Sequence, residues 1–186
     1  MFEISIQEIN SLKSKKERSL YALYQKFYSG MKLVCMRYQK NDIDADDAIN
    51  RSFLKLVDKI ESYNQQKSFH SWFSTVIVNT NLDLLRKEKR NRDQHLYVET
   101  YFETSDDKIF EDDLEINFDQ ILHFIRTLSS TGQSVFNLYC IDGYSHKEIA
   151  NKLSISEGNS KWHLSNARKK IQLQLKEFKL KQKQAV

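Results

Sequence analysis

The sequence predicts an all-α protein made of two small helical domains joined by an acidic linker, the second domain being a helix-turn-helix. Three observations predict it. The 186 residues include no proline and only four glycines, which removes the usual punctuation of β-rich folds, while the abundant Leu, Lys, Glu and Gln favour helices. Apolar residues recur at spacings of three and four in several separate stretches, each the signature of a helix that buries one face. Between two groups of such stretches, residues 95–117 change character and become a run of carboxylates.

The first domain is expected over 1–94. From Leu20, apolar residues recur at Leu23, Tyr24, Phe27, Tyr28 and Met31, a first amphipathic helix. A second follows Asp42–Asp44, with Ala45, Ala48, Ile49, Ser52, Phe53, Leu56, Val57 and Ile60 as its buried stripe and Asp46, Asp47, Asn50 and Lys55 on the opposite face. After the polar stretch 62–68, a third helix has Trp72, Phe73, Val76, Ile77, Thr80 and Leu84 on its apolar side. Three such helices can share one core.

On the third helix Asn79, Asp83, Arg86 and Arg90 follow spacings of four, three and four, so they share a polar face flanked by Lys87 and Lys89. Phe69, Trp72 and Phe73 precede it, aromatics able to fill a core or to stack on unpaired bases, with Trp72 and Phe73 better suited to the core.

In the linker, Glu99, Glu103, Asp106, Asp107, Glu111, Asp112, Asp113 and Glu115 are opposed by Lys108 and His95 alone, a solvated stretch or one that lies along a positive channel of a partner. The second domain, 118–186, opens with Phe118, Ile121, Leu122, Ile125 and Leu128, and Val135, Phe136 and Tyr139 continue it in a short helix. Gly143 supplies a turn, and Ser145 with Glu148 forms a capping box that starts a helix running to Leu153. Small Ala150 permits the close helix crossing of a helix-turn-helix. In the helix after the next turn, Ser160, Leu164, Ala167 and Ile171 face the core. That turns Trp162, Ser165, Asn166 and Lys169 to solvent, flanked by Lys161, Arg168 and Lys170, a mixture of base-reading and phosphate-binding side chains. The basic tail 176–186 is expected to fray at its end.

Cys35 and Cys140 stand far apart, with neither the close spacing of a zinc site nor the density of a disulfide scaffold, as in a reducing cytoplasm. The N-terminus lacks the apolar segment of a secretory signal, and no stretch reaches the roughly 20 apolar residues that span a bilayer. No membrane insertion, cofactor, metal or catalytic group is expected.

These segments resemble the extracytoplasmic-function group of bacterial RNA polymerase sigma factors, from about Leu20 to Leu175, in three blocks. Residues 42–56 (DIDADDAINRSFLKL) are similar to the family's acidic helix that docks on the coiled coil of the polymerase clamp, with Asp46, Asp47, Asn50, Phe53 and Leu54 at matching positions and Asn50 standing where Gln is frequent. Residues 67–90 resemble the segment that melts and reads the minus-ten promoter element. Trp72, Asn79, Asp83 and Arg86 carry that pattern, with Lys67, Phe69, Lys87 and Arg90 as further candidates for holding the opened strand. Residues 128–171 resemble the helix-turn-helix that reads the minus-thirty-five element through Lys161, Trp162, Ser165, Asn166, Arg168 and Lys169. Here Leu128-Ser129 replaces a common Leu-Pro and Asn159-Ser160 a frequent Thr-Val.

The resemblance implies core RNA polymerase and promoter DNA as partners, admits an anti-sigma factor as a third, and leaves catalysis to the polymerase. Two other readings compete. One is a conventional helix-turn-helix regulator that never joins polymerase, against which the acidic helix argues. The other is an enzyme holding a metal on Asp106, Asp107, Glu111, Asp112 and Asp113, which lacks the loop glycine or His pairing of a defined site.

Overall fold

The computed structural model describes residues 2–92 and 116–184, and side chains within 2–88 and 116–182. All regular structure among the described residues is helical. The chain divides into two compact units, Met1–Glu88 and Lys89–Val186. The acidic stretch expected as a linker lies, over 95–115, outside the described residues.

The first unit holds α1 (Ile6–Ser14), α2 (Glu17–Tyr38), α3 (Asp42–Lys59), a 3-10 turn (Ile60–Ser62) and α4 (Phe69–Arg92). Sequence reading missed α1. It starts at a capping box in which the Glu8 amide donates to Ser5 Oγ and the Ser5 amide to Glu8 Oε2. It is short, burying only Ile9 and Leu12, so its apolar period is slight. Phe2 ahead of it is also buried, edge-on to Phe27 and Phe73. Gly30 makes this possible: a Cβ there would lie 2.5 Å from the Phe2 ring.

In α2 the buried residues are Leu23, Phe27, Met31, Val34, Cys35 and Tyr38, whereas Tyr24 and Tyr28 are half-buried. The buried stripe of α3 matches the expected one, through to Ile60 in the 3-10 turn. Asn41 caps α3, accepting from the Asp44 amide at 2.8 Å, and Asp42 and Asp44 in the first turn complement the helix dipole. The buried face of α4 is wider than expected. Val78, Asn81, Leu82 and Leu85 join Phe73, Val76, Ile77 and Thr80, while Leu84 is only half-buried. Asn81 is fully buried and satisfied: its amide nitrogen donates to the Ile77 carbonyl at 2.9 Å and contacts Cys35 Sγ at 3.4 Å, and its oxygen accepts from Gln39 at 2.8 Å.

The second unit holds α5 (Phe118–Arg126), α6 (Ser130–Phe136), a π-helical turn (Asn137–Ile141), α7 (His146–Leu153) and α8 (Glu157–Gln184). Phe118 and Ile121, expected to be buried, are 43% and 45% exposed. The inward face of α5 keeps Leu122 and Ile125 as expected and adds Phe124, whose ring meets Phe178 of α8 edge-on. Gly143 takes the expected turn with φ +76°. Ser145 caps α7 as the sequence indicates, with reciprocal bonds to Glu148. Ser154 then ends α7 in the left-handed conformation, and three residues later α8 begins. At 28 residues α8 is roughly 42 Å long, so the basic tail expected to fray is helical as far as Gln184.

Candidate nucleic-acid and polymerase interfaces

Three surfaces emerge from this fold. On α3, Asp47, Asn50 and Leu54 form one exposed row, and Ile43, unnoticed in the sequence, begins it at the same four-three-four spacing. Ile43 is 82% and Leu54 63% exposed, so the row is a polar strip with an apolar residue at each end. Such ends cost solvation unless a partner covers them. Asp46 lies beside the row, where Tyr28 Oη donates to it at 3.4 Å, and Tyr24 Oη donates to Asn50 Oδ1 at 2.8 Å. Phe53, expected at this interface, is buried, with Tyr24 edge-on to its ring. Its position four residues before Val57 and after Ile49 places it on the core side of α3.

On α4, Asn79, Asp83 and Arg86 share one exposed face and Lys87 is exposed beside them. Arg90 continues the row in the helix, but its side chain lies outside the described residues. The row is internally paired: Asp83 accepts from Arg86 at 2.8 Å and from Lys55 of α3 at 2.9 Å. Lys67 is exposed in the turn ahead of α4, where its carbonyl accepts from Tyr63 Oη at 2.6 Å. Phe69, expected to meet unpaired bases, is instead a core residue, 6% exposed and packed against Phe27 and Phe73. The first turn of α4 points it inward. Trp72 and Tyr63 are left part-accessible there, 5.0 Å apart between ring centres. Sequence reading had absorbed Tyr63 into a polar loop; its aromatic character was the available signal.

On α8, Ser160, Leu164 and Ala167 are buried as expected, while Ile171 is half-buried. The exposed row is Lys161, Ser165 and Arg168, and Trp162, Asn166 and Lys169 form a half-exposed strip alongside. The centre of the face is therefore one residue back from its expected place. Lys170, expected on the flank, is turned inward and donates to the Thr127 carbonyl at 2.6 Å. Behind the exposed row, His146 Nδ1 lies 2.9 Å from the buried Ser160 Oγ and the imidazole stacks on Tyr139 with ring centres 4.5 Å apart. Arg168 lies over the same Tyr139 ring at 5.7 Å and reaches Cys140 Sγ at 4.0 Å. Partial burial pushes the His146 pKa down, as do the cations of Lys161 and Arg168, against an upward pull from Glu157.

Residues 23–91 match Sigma-70 region 2, and residues 118–171 match Sigma-70, region 4. The chain belongs to the sigma-70 family. This sigma factor is of the extracytoplasmic-function (ECF) type, binds core RNA polymerase and directs promoter-specific initiation of transcription. It is 24% identical to the ECF RNA polymerase sigma-E factor of Haemophilus influenzae over 181 residues, covering 90% of this chain and 91% of that one. To the ECF RNA polymerase sigma factor SigW of Bacillus subtilis it is 24% identical over 156 residues, 78% and 82% of the two chains. The match to the RNA polymerase sigma factor SigV of Bacillus subtilis is 36% identical over 55 residues but spans 30% of this chain and 33% of that one. The fold is that of the sigma factor RpoE from Bartonella quintana, solved with the anti-sigma factor NepR, at a TM-score of 0.52 and 18% identity over 83% of this chain and 97% of that one. The matches to regions 2 and 4 of sigma-70 together set aside the conventional regulator. Among the described residues no helix is long and apolar enough to cross a membrane and no cluster of His, Cys, Asp and Glu could hold a metal. The carboxylates 106–113 lie outside the described residues.

Proposed function

We propose that the sigma factor divides its work among these three surfaces, with working boundaries of 1–94 for the polymerase-binding and promoter-melting domain, 95–117 for the linker and 118–186 for the duplex-reading domain. The strip Ile43–Asp47–Asn50–Leu54, with Asp46 beside it, docks on the polymerase clamp. Apolar ends supply affinity there, and carboxylates supply orientation towards a basic partner. The α4 row Asn79–Asp83–Arg86, with Lys87, Arg90 and Lys67, holds the opened minus-ten strand. Unstacking a base costs a few kcal/mol, and Trp72 and Tyr63 offer stacking surface in return. The row Lys161–Ser165–Arg168 with Trp162, Asn166 and Lys169 enters the major groove at the minus-thirty-five element, as the second helix of a helix-turn-helix does.

No residue here performs chemistry: bond formation belongs to the polymerase, and the sigma factor acts in the cytoplasm, where the chromosome is. An anti-sigma factor that covers the α3 strip would silence it; the Bartonella sigma factor of the same fold was solved with such a partner. The observation that carries the reading is the pair of matched regions, each with an exposed, chemically suited helix face. The test measures core-polymerase binding and minus-thirty-five duplex binding in parallel. Trp162→Ala and Lys169→Ala should weaken duplex binding and spare polymerase binding, and Leu54→Glu should do the reverse. Equal loss of both in every variant would overturn the division of labour.

A further inference from the structure

The arrangement behind α8 has a role of its own. Arg168 has a long, flexible stem, and an arginine that must be immobilised on binding loses affinity for it. Here its guanidinium already rests over Tyr139. Tyr139 is 37% exposed, in the π-helical turn, and the group stacked on it is the His146 imidazole, at 4.5 Å and 24° between planes. The imidazole is itself held by the fully buried Ser160 on α8. Ser160 precedes Arg168 by eight residues, roughly 12 Å along the helix, and His146 and Tyr139 in series bridge the two.

We infer that His146 is a positioning residue for promoter reading: its stack on Tyr139 fixes the platform from which Arg168 meets DNA, and its bond to Ser160 only trims the ring's orientation. The inference rests on the reading of α8 as the duplex-binding helix. The groups facing His146 from α8 are Lys161, Arg168 and Glu157, two cations and one anion. The neutral imidazole suits this place, because an imidazolium on the Tyr139 ring would repel Arg168.

The test uses the full chain and a duplex bearing the minus-thirty-five element of a start site mapped with the holoenzyme. His146→Ala should weaken duplex binding by about three- to tenfold and lower the salt slope by about one phosphate contact. Arg168→Ala should do the same, and the double variant should be no weaker than Arg168→Ala alone. His146→Phe keeps a ring on Tyr139 and should retain most of the affinity. His146→Asn keeps a hydrogen-bonding atom towards Ser160 without a ring and should not. Core-polymerase binding and helix content should be unchanged throughout. Additive losses in the double variant, or a Phe variant as weak as the Ala one, would overturn the inference while leaving α8 as the reading helix. No effect of either Arg168→Ala or Lys161→Ala would overturn the α8 reading and the inference with it. Should His146→Ala fail to fold, the Phe and Asn variants decide between the same outcomes.

Discussion

Asp83 of α4 accepts a 2.9 Å bond from Lys55 of α3, so a carboxylate on the exposed α4 row is tied to the helix that carries the exposed α3 strip. It also accepts from Arg86 at 2.8 Å. Both pairs are about half-exposed, and surface pairs of this kind contribute at most about 1 kcal/mol. Their use is to hold Arg86 in one place. Asp83→Asn should therefore leave thermal stability nearly unchanged, raise affinity for single-stranded DNA of any sequence by removing a negative charge, and reduce discrimination between matched and scrambled minus-ten strands. Fluorescence anisotropy with the two strands checks this.

Phe69 and Lys67 should behave oppositely. Truncating a buried phenylalanine costs about 3–5 kcal/mol, and Phe69 packs against Phe27, Tyr63, Trp72 and Phe73. Phe69→Ala should thus unfold or severely destabilise the first unit in denaturant titration, whereas Lys67→Ala should keep full stability and lose only strand affinity.

Both residues were expected at the DNA face, and their separation shows where sequence reading runs out. Period alone located α2, α3, α4 and the second helix of the helix-turn-helix, because each buries a stripe long enough to repeat, whereas the first helix of that motif was read from its turn and cap. Period cannot say which way the first residue of a helix points, so Phe69 was misassigned. Nor could it reveal α1, whose two buried residues make no pattern. The capping box at Ser145 was legible because it depends on two residues three apart. The stack of Tyr139 on His146 was not, because the π-helical turn that presents Tyr139 shifts its face in a way no helical period records.

The two cysteines should be told apart by a thiol reagent. Burial pushes the Cys35 thiol up to about 11, against weaker opposing bonds from Asn81 and Ser52. Cys140 is exposed. The native protein should release one equivalent of signal at pH 8 and two in denaturant. The sign for stability follows: a raised thiol pKa contributes stability that is whole below the unfolded value of 9.0 and is lost as pH rises towards about 11.

The cap of α7 should be felt in the second unit. Ser145→Ala removes the side chain that accepts the Glu148 amide and should cost about 1 kcal/mol in denaturant titration. Bonds from the Ser145 hydroxyl and amide hold the Glu148 carboxyl below its usual range. Its contribution is present above the unfolded value of 4.5 and is lost as pH falls through the lower folded one. The wild type should therefore lose stability on acidification in this window, and Ser145→Ala should lose less.

The most direct measurement is initiation itself: purified protein added to bacterial core RNA polymerase on a genomic DNA library, with transcript starts mapped against core alone. Discrete starts, each preceded by a shared pair of elements at minus ten and minus thirty-five, are the expected result. Stable DNA binding without any discrete start would contradict it.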